Sequence, residues 1–429
     1  MVRLTDRGRV PPGARATQAQ ERAVAGKAAQ PEAARGGSSR PLIGILAGEA
    51  SGDNLGRGLM RAIREQRPDA RFVGIGGPGM QAEGLDSLVP MDRLSMNGFV
   101  DPLRRLPELL RILRLLLRSF EASRPDLFVG VDFNVFNLLL ERRLKLRGFP
   151  TVHYVSPSVY AWRRGRIRRI ARAADVLLTL FPFEPALYRG TGVKAVYVGH
   201  PLADAIGPQD GDQAAQAAAR ASLGLEPSDP VFAVLPGSRR SEVRLLGERF
   251  LAAAELVQQA MPSAQFVVPC LRPAIAEWLD AYRGAHPELR VRAYEGDARL
   301  ALTACDAALV KSGTSTLEAM LLGRPMVVSY RLGPVTYRVV RRLLRSPWVA
   351  LPNILAGRNL VPELLQDAAT PRALADALLL ELDKARQDPE YLSEFRRLHA
   401  LLRRDADARA AEAVIRSLEG KHDPDDPGG

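Results

Sequence analysis

Short apolar runs recur along the chain in two series, separated by stretches of helical periodicity. The first series holds LIGILAG (42–48), RFVGIGG (71–77), DLFVGVD (126–132), TVHYVSP (151–157), DVLLTL (175–180) and KAVYVG (194–199). The second holds VFAVLPG (231–237), QFVVPC (265–270), VRAYE (291–295), AALVKSG (307–313) and PMVVSY (325–330). The runs are short, often rich in Val, and do not alternate apolar with polar positions. That is the pattern of strands in a parallel sheet covered on both faces. Intervening segments such as LGRGLMRAIREQ and VFNLLLERRLKLRG read as helices. Two successive series of strand–helix units predict an α/β protein of two Rossmann-like, doubly wound domains facing a central cleft. The boundaries fall at 41–206 and 221–370, with a Gly/Gln/Ala/Asp-rich linker at 207–220 and helices and a tail at 371–429. Residues 1–40 are rich in Ala, Arg, Gly and Gln and lack an apolar signal core, so they predict a disordered tail.

Composition narrows the partners more than the fold. At 429 residues the chain is too long for one core, and its 46 % apolar content is enough for two. Two cysteines, Cys270 and Cys305, exclude a disulfide framework and a cysteine zinc site, and both read as small buried apolar residues. No window is long and apolar enough to span a bilayer. A net charge of +12 points to an anionic partner: nucleic acid, acidic lipid or a phosphorylated substrate.

In doubly wound sheets ligands bind beyond the carboxyl ends of the strands, so those loops carry the chemistry. GEASGD (48–53) has glycines at 48, 52 and 56, which fits neither a dinucleotide fingerprint nor a Walker loop. Its carboxylates Glu49 and Asp53 also argue against a phosphate cradle, and the stretch reads as an active-site turn. Asp132 ends the run DLFVGVD; it is a candidate general base at the same sheet edge as Glu49, or else a cap of the helix that follows. In the second domain LPGSRRSEVRLL (235–246) places Arg239 at a turn before a helix, and KSGTSTLEAM (311–320) repeats that plan with Ser312, Gly313, Thr314 and Ser315. Backbone N–H groups at helix starts and a guanidinium suit a diphosphate, and Glu318, one turn into its helix, suits a ribose diol. Capped helices are the plainer reading of each turn alone. His153 and His200 read as hydrogen-bonded structure, and no metal motif is present.

Two basic segments remain. DPLRRLPELLRILRLLLRSF (101–120) sets Leu103, Leu106, Leu110, Leu113, Leu117 and Phe120 on one helical face, with Arg104, Arg111, Arg114 and Arg118 opposite. This predicts an interfacial helix on anionic lipid, or an ordinary amphipathic crossover helix, with Pro107 kinking it. YAWRRGRIRRIAR (160–172) interleaves Tyr160 and Trp162 with arginines, which suits stacked bases, a phosphorylated acceptor or a solvated helix.

Taken in order, GEASGD, GIGGPGMQAEG, YVSPSVYAWR, FPFE, GHPLADA, LPGSRRSEV, SGTSTLEAM, MVVSYR and LPNILAG resemble the lipid-A-disaccharide synthases, inverting glycosyltransferases of the two-Rossmann GT-B type, over residues 42–366. The resemblance implies transfer of 2,3-diacylglucosamine from its UDP donor to 2,3-diacylglucosamine 1-phosphate. The product it implies is the β-1,6 disaccharide 1-phosphate, with release of UDP. It implies a nucleotide-sugar site in the second domain and an acceptor site in the first. Asp132 corresponds to the family's catalytic aspartate, Arg239 to a nucleotide-side arginine, Glu318 to a ribose-side acid and Asn353 to a further active-site residue. The family's usual Gly-Ile-Asp-x-Pro-Asp-Phe-Asn has Asn134 and Val135 here in place of the Pro and the second Asp. No metal or other cofactor and no nucleic-acid partner are expected. A cytoplasmic enzyme peripheral on the inner face of the inner membrane is expected, with a homo-oligomer left open. A UDP-sugar epimerase of the same plan and a basic nucleic-acid-binding protein are the alternatives.

Overall fold

The computed structural model describes residues 40–94, 102–157, 165–270, 272–333, 336–338, 342 and 346–420, apart from the side chains of 102–104 and 134. The expected tail at 1–40 lies outside them except for Arg40, as do residues 158–164 with Tyr160 and Trp162.

The first sheet contains β1 (Leu42–Ala47), β2 (Arg71–Ile75), β3 (Leu85–Ser87), β4 (Leu127–Val131), β5 (Thr151–Tyr154), β6 (Val176–Thr179) and β7 (Lys194–Tyr197), in the order 3-2-1-4-5-6-7. The second contains β8 (Val231–Leu235), β9 (Gln265–Pro269), β10 (Val291–Tyr294), β11 (Ala307–Lys311), β12 (Met326–Tyr330) and β13 (Glu363–Leu365), in the order 10-9-8-11-12-13. Every pairing is parallel. All eleven strands expected from the apolar runs form. The lack of alternation has a direct cause: Leu127 and Val129 pack into one core while Phe128 between them packs into the other. β3 and β13, three residues each at sheet edges, are too short and too exposed to make a recognisable run.

Strand order reverses between β1 and β4 in the first sheet and between β8 and β11 in the second, and these switch points are where such folds place ligands. The loops leaving those four strands are GEASGD, DFN, PGSR and SGTS.

Two expectations need correction. The 207–220 linker is helical in its second half: Asp212 caps the helix Gln213–Ser222 by accepting from Ala215 N–H at 2.8 Å. Arg220 on that helix is buried against Asp306 at 2.8 Å, which joins it to the second domain. Alanine-rich, weakly apolar helices read as linkers because their small side chains leave little periodic signal. The helix Pro102–Ser123 does form, running on through Pro107, yet Leu113 and Leu117 are not available to lipid. They are buried with Ile112, Leu116 and Phe120 against Phe128 and Leu140. Among the described side chains of that face only Leu106 stands clear, at 49 % exposure, with Leu110 half-buried and Arg111 and Arg114 exposed. The helix therefore divides, with its second half serving as an ordinary crossover helix. The helices expected from residue 371 on form, and they serve both domains. Pro371–Gln387 covers the second sheet, whereas Ala406–Leu418 returns to pack on the helix Ala50–Gln66 of the first. Asp204 of GHPLADA secures that return, accepting from the N–H groups of Arg404, Asp405 and Ala406 at 3.0, 3.0 and 2.7 Å. His399 and Tyr197 add bonds to the carbonyls of Ala203 and Leu401 at 2.9 and 2.7 Å.

Candidate active site

The first-domain loops are held by close backbone approach. Gly48 is glycine because a β-carbon there would lie 2.5 Å from ring carbons of Phe133, so the GEASGD turn passes directly beneath the DFN turn. Asp53 does not face a ligand. Its carboxylate accepts from Gly79 and Met80 N–H at 2.9 and 3.0 Å, capping the next helix. Glu49 is exposed at the start of the helix Ala50–Gln66. Asp132 and Phe133 both adopt left-handed backbone, with φ of 48° and 47°. Aspartate tolerates that region, but phenylalanine stores about 1–3 kcal/mol of strain there. The two left-handed residues follow β4 directly, turning the chain out of strand direction and into the helix Asn134–Lys145. Since Ala47 pairs with Val131, Glu49 and Asp132 leave adjacent strands at the same edge.

In the second domain the structure brings together Gly237, Ser238, Arg239, Glu242, Lys311, Gly313, Thr314 and Ser315 around a cleft of about 270 Å³. The expected Arg239, Gly313 and Thr314 line it. Gly237 takes φ 125°, and a β-carbon there would meet Glu242. Glu242 organises the floor: it accepts from Ser238 and Arg239 N–H at 3.1 and 3.3 Å and pairs with Lys311 at 3.1 Å. Lys311 also lies 5.4 Å from the centre of the Tyr330 ring. Lys311 and Glu242 are not singled out by residue type and spacing. The available signal was an acid three residues after the turn arginine, the spacing of a helix-start capping pair. Arg239 itself is solvent-exposed and its ion pair with Glu242 is long, at 3.8 Å, so its guanidinium remains accessible to an anion.

Three expected nucleotide-side residues are not among those lining the cleft. Ser312 is not a donor to ligand, because its N–H is given to Ser329 O and its hydroxyl to Val349 O, both at 2.8 Å. Asn353 is wholly buried with its amide fully used. Oδ1 accepts from Leu360 and Val361 N–H, and Nδ2 donates to Val361 O and to Glu363, all at 2.8–2.9 Å. It braces the loop that leads into β13. Replacing Asn353 with Ala orphans two N–H groups and is expected to cost roughly 2–3 kcal/mol, read as a lowered denaturation midpoint. Glu318 is half-buried. Burial pushes its carboxyl above the ordinary range, while the Arg299 guanidinium pulls it back.

Both histidines are structural. His200 accepts from Leu202 N–H at 3.1 Å, and burial lowers its pKa to about 4. His153 is buried 2.7 Å from Glu141. Cys270 and Cys305 are buried as expected, and burial pushes the Cys305 thiol up to about 12. Ile167 and Ile170 bury one side of the helix Gly165–Ala173 and leave Arg166, Arg168 and Arg169 in solvent, which is the solvated-helix reading. A larger cavity of about 1000 Å³ opens at the amino ends of β4–β7 beneath the helix Ala406–Leu418, on the edge away from these loops. Among the described residues no cluster of three or more His, Cys, Asp or Glu is placed to hold a metal ion, and no helix is long and apolar enough to cross a membrane.

Two parallel-sheet domains with an anion-ready cleft at one switch point and a carboxylate turn at the other define the GT-B class of glycosyltransferase. Solved structures share the fold. The glycotransferase of kitacinnamycin aligns with a TM-score of 0.58 at 18 % identity, over 89 % of this chain and 100 % of that one. The UDP-GlcNAc 2-epimerase of Neisseria meningitidis, solved with UDP-GlcNAc, aligns at 0.56 and 12 %, over 89 % and 100 %. Sequence decides among the functions that this fold carries. The family model described as Lipid-A-disaccharide synthetase matches residues 43–414. Lipid-A-disaccharide synthases of Pseudomonas aeruginosa (strain LESB58) and Sodalis glossinidius (strain morsitans) are 49 % and 50 % identical over 377 and 380 residues, 88 % of this chain and 98 % of each relative. The chain belongs to the lipid-A-disaccharide synthase family. It is a glycosyltransferase of lipid A biosynthesis acting on a UDP-sugar donor and an acyl-glucosamine phosphate acceptor, and neither the epimerase nor the nucleic-acid alternative is favoured.

Proposed function

We propose that the chain joins UDP-2,3-diacylglucosamine to 2,3-diacylglucosamine 1-phosphate across the two switch points. The observation that carries this reading is the pairing of the Arg239–Lys311 cleft in one domain with the left-handed Asp132 turn in the other. Asp132 takes the proton of the acceptor 6-hydroxyl as that oxygen attacks the anomeric carbon. The bond from that carbon to the diphosphate breaks with inversion, and UDP leaves with the electron pair. Arg239, Thr314 and the N–H groups opening the helices Arg240–Ala260 and Thr314–Leu321 meet the charge that grows on the diphosphate. Glu318 is assigned to the ribose side and Glu49 to the acceptor pocket. These cationic groups do the work of a metal, so the reaction is read as metal-free.

The test is turnover of the two acylated substrates in detergent. Disaccharide 1-phosphate and UDP should appear in equal amounts, with or without a chelator. Folded enzyme that forms no disaccharide, or that needs an added divalent ion, would overturn the corresponding part.

Acylated substrates and exposed Leu106, Arg111 and Arg114 support peripheral attachment to the inner face of an anionic membrane, by the start of the helix Pro102–Ser123. Leu106→Ser should shift stability by less than about 0.5 kcal/mol yet weaken co-sedimentation with anionic vesicles. Leu113→Ala should cost about 2–5 kcal/mol in a denaturation curve. Equal vesicle binding by wild type and the Leu106 variant would remove this part of the reading.

A further inference from the structure

Beneath the Asp132 turn, the helix Asn134–Lys145 points two polar side chains inward. Asn137 and Glu141 lie one helical turn apart and are both fully buried. The amide of Asn137 binds the ends of both switch-point strands: Nδ2 faces the carbonyl oxygens of Leu46, Val131 and Asp132 at 3.3, 3.2 and 2.8 Å. Glu141 Oε1 lies 2.7 Å from Nδ1 of His153 on β5. The other oxygen of each pair, Asn137 Oδ1 and Glu141 Oε2, has no hydrogen-bond partner among the described residues.

Gly130 on β4 shows how close the two groups are. A β-carbon there would collide with Glu141 Oε1 and stand 3.1 Å from both Cβ and Cγ of Asn137, so the carboxyl and the amide crowd over one glycine. Two buried acceptors without donors, one helical turn apart and packed over the same glycine, are costly unless a proton is shared between them. An ionised Glu141 facing an imidazolium would form a buried ion pair and leave both oxygens orphaned. Burial favours the protonated carboxyl, and His153 opposes that trend.

We propose that Glu141 carries its proton on Oε2 and donates it to Asn137 Oδ1, while Oε1 accepts from Nδ1–H of His153, so that a neutral buried chain of three side chains locks the Asn137 amide onto the backbone carbonyl of Asp132. His153, Glu141 and Asn137 are then positioning residues. They hold the left-handed Asp132–Phe133 turn from below and so fix where the Asp132 carboxylate points. The inference rests on the reading of Asp132 as the base.

Glu141→Gln separates the two protonation states. A glutamine supplies Nε2–H to Asn137 and a carbonyl oxygen to His153, reproducing the neutral chain without a titratable group. It should keep kcat within about twofold of wild type, whereas Glu141→Ala should lower kcat roughly ten- to a hundredfold with donor KM and UDP affinity unchanged. If the alanine variant does not fold, the infrared difference between wild type and Glu141→Gln at neutral pH decides. A protonated-carboxyl band present only in wild type supports the inference; a carboxylate band there overturns it. A glutamine variant as impaired as the alanine one, or an alanine variant with normal kcat, would also overturn it. Asp132→Asn keeps the two readings apart. Activity surviving in that variant defeats the base assignment, whereas an inactive Asp132→Asn beside a fully active Glu141→Ala defeats only the positioning chain.

Discussion

Asp132→Asn is expected to abolish nearly all turnover while leaving the protein folded. Asparagine shares aspartate's tolerance of the left-handed region, so φ 48° at this position is retained without new strain. The backbone bonds of residue 132 are also kept: its N–H to Tyr154 O at 2.8 Å, and its carbonyl to Asn137 at 2.8 Å. What is lost is the group that accepts a proton from the attacking hydroxyl. General-base catalysis is worth about 10²–10⁴-fold, and that loss should fall on kcat with donor KM almost unchanged. Steady-state kinetics alongside a thermal midpoint makes the measurement. A variant that keeps more than about a tenth of wild-type kcat would transfer the role, and Glu49, leaving the adjacent strand, would be the next residue to replace.

The second large effect is expected at Arg239. Its side chain is 75 % exposed and contributes little to the fold, so Arg239→Ala should leave the thermal midpoint where it is. In the reaction the guanidinium meets the diphosphate, whose charge rises as the anomeric bond breaks. Removing one such preorganised donor costs about 10²–10³-fold, here read as kcat/KM for the UDP donor, with weaker inhibition by added UDP. Arg239→Lys should recover only part of this, since an ammonium cannot offer the paired N–H geometry of a guanidinium. Normal kinetics in the alanine variant would shift the anion contact to Lys311, which reaches the same cleft while paired with Glu242.

Which residues touch a ligand and which hold the site in shape could not be told from residue type and position alone. Ser312 sits in a serine-rich turn that suits phosphate, yet the neighbouring β12 edge and the chain at Val349 take both of its protons. Asn353 lies in a motif of the family, and its burial against residues 360–363 makes it a brace. The leucine-rich helix shows the same limit. Its amphipathic pattern is identical whether the apolar face meets lipid or meets Phe128 and Leu140, and only packing assigns Leu113 and Leu117 to the core. Glu141 and His153 are separated by eleven residues in sequence and give no periodic signal. Their contact arises because β5 pairs with β4 and the intervening helix folds back over Gly130.

The two-domain α/β plan, the eleven strands marked by apolar runs, the loops that carry the site and the family were legible in the chain. Each of these follows from local chemistry: unbroken apolar runs buried on both faces, turn residues at strand ends, and ordered motifs along one chain. Folding was needed to reveal the edge strands β3 and β13, the return of the helix Ala406–Leu418 to the first domain, the Lys311–Glu242 pair and the buried support under Asp132. These depend on groups far apart in sequence meeting at a sheet edge or over a glycine. Their strength comes from desolvation and hydrogen bonding at the point of contact, which no local pattern records.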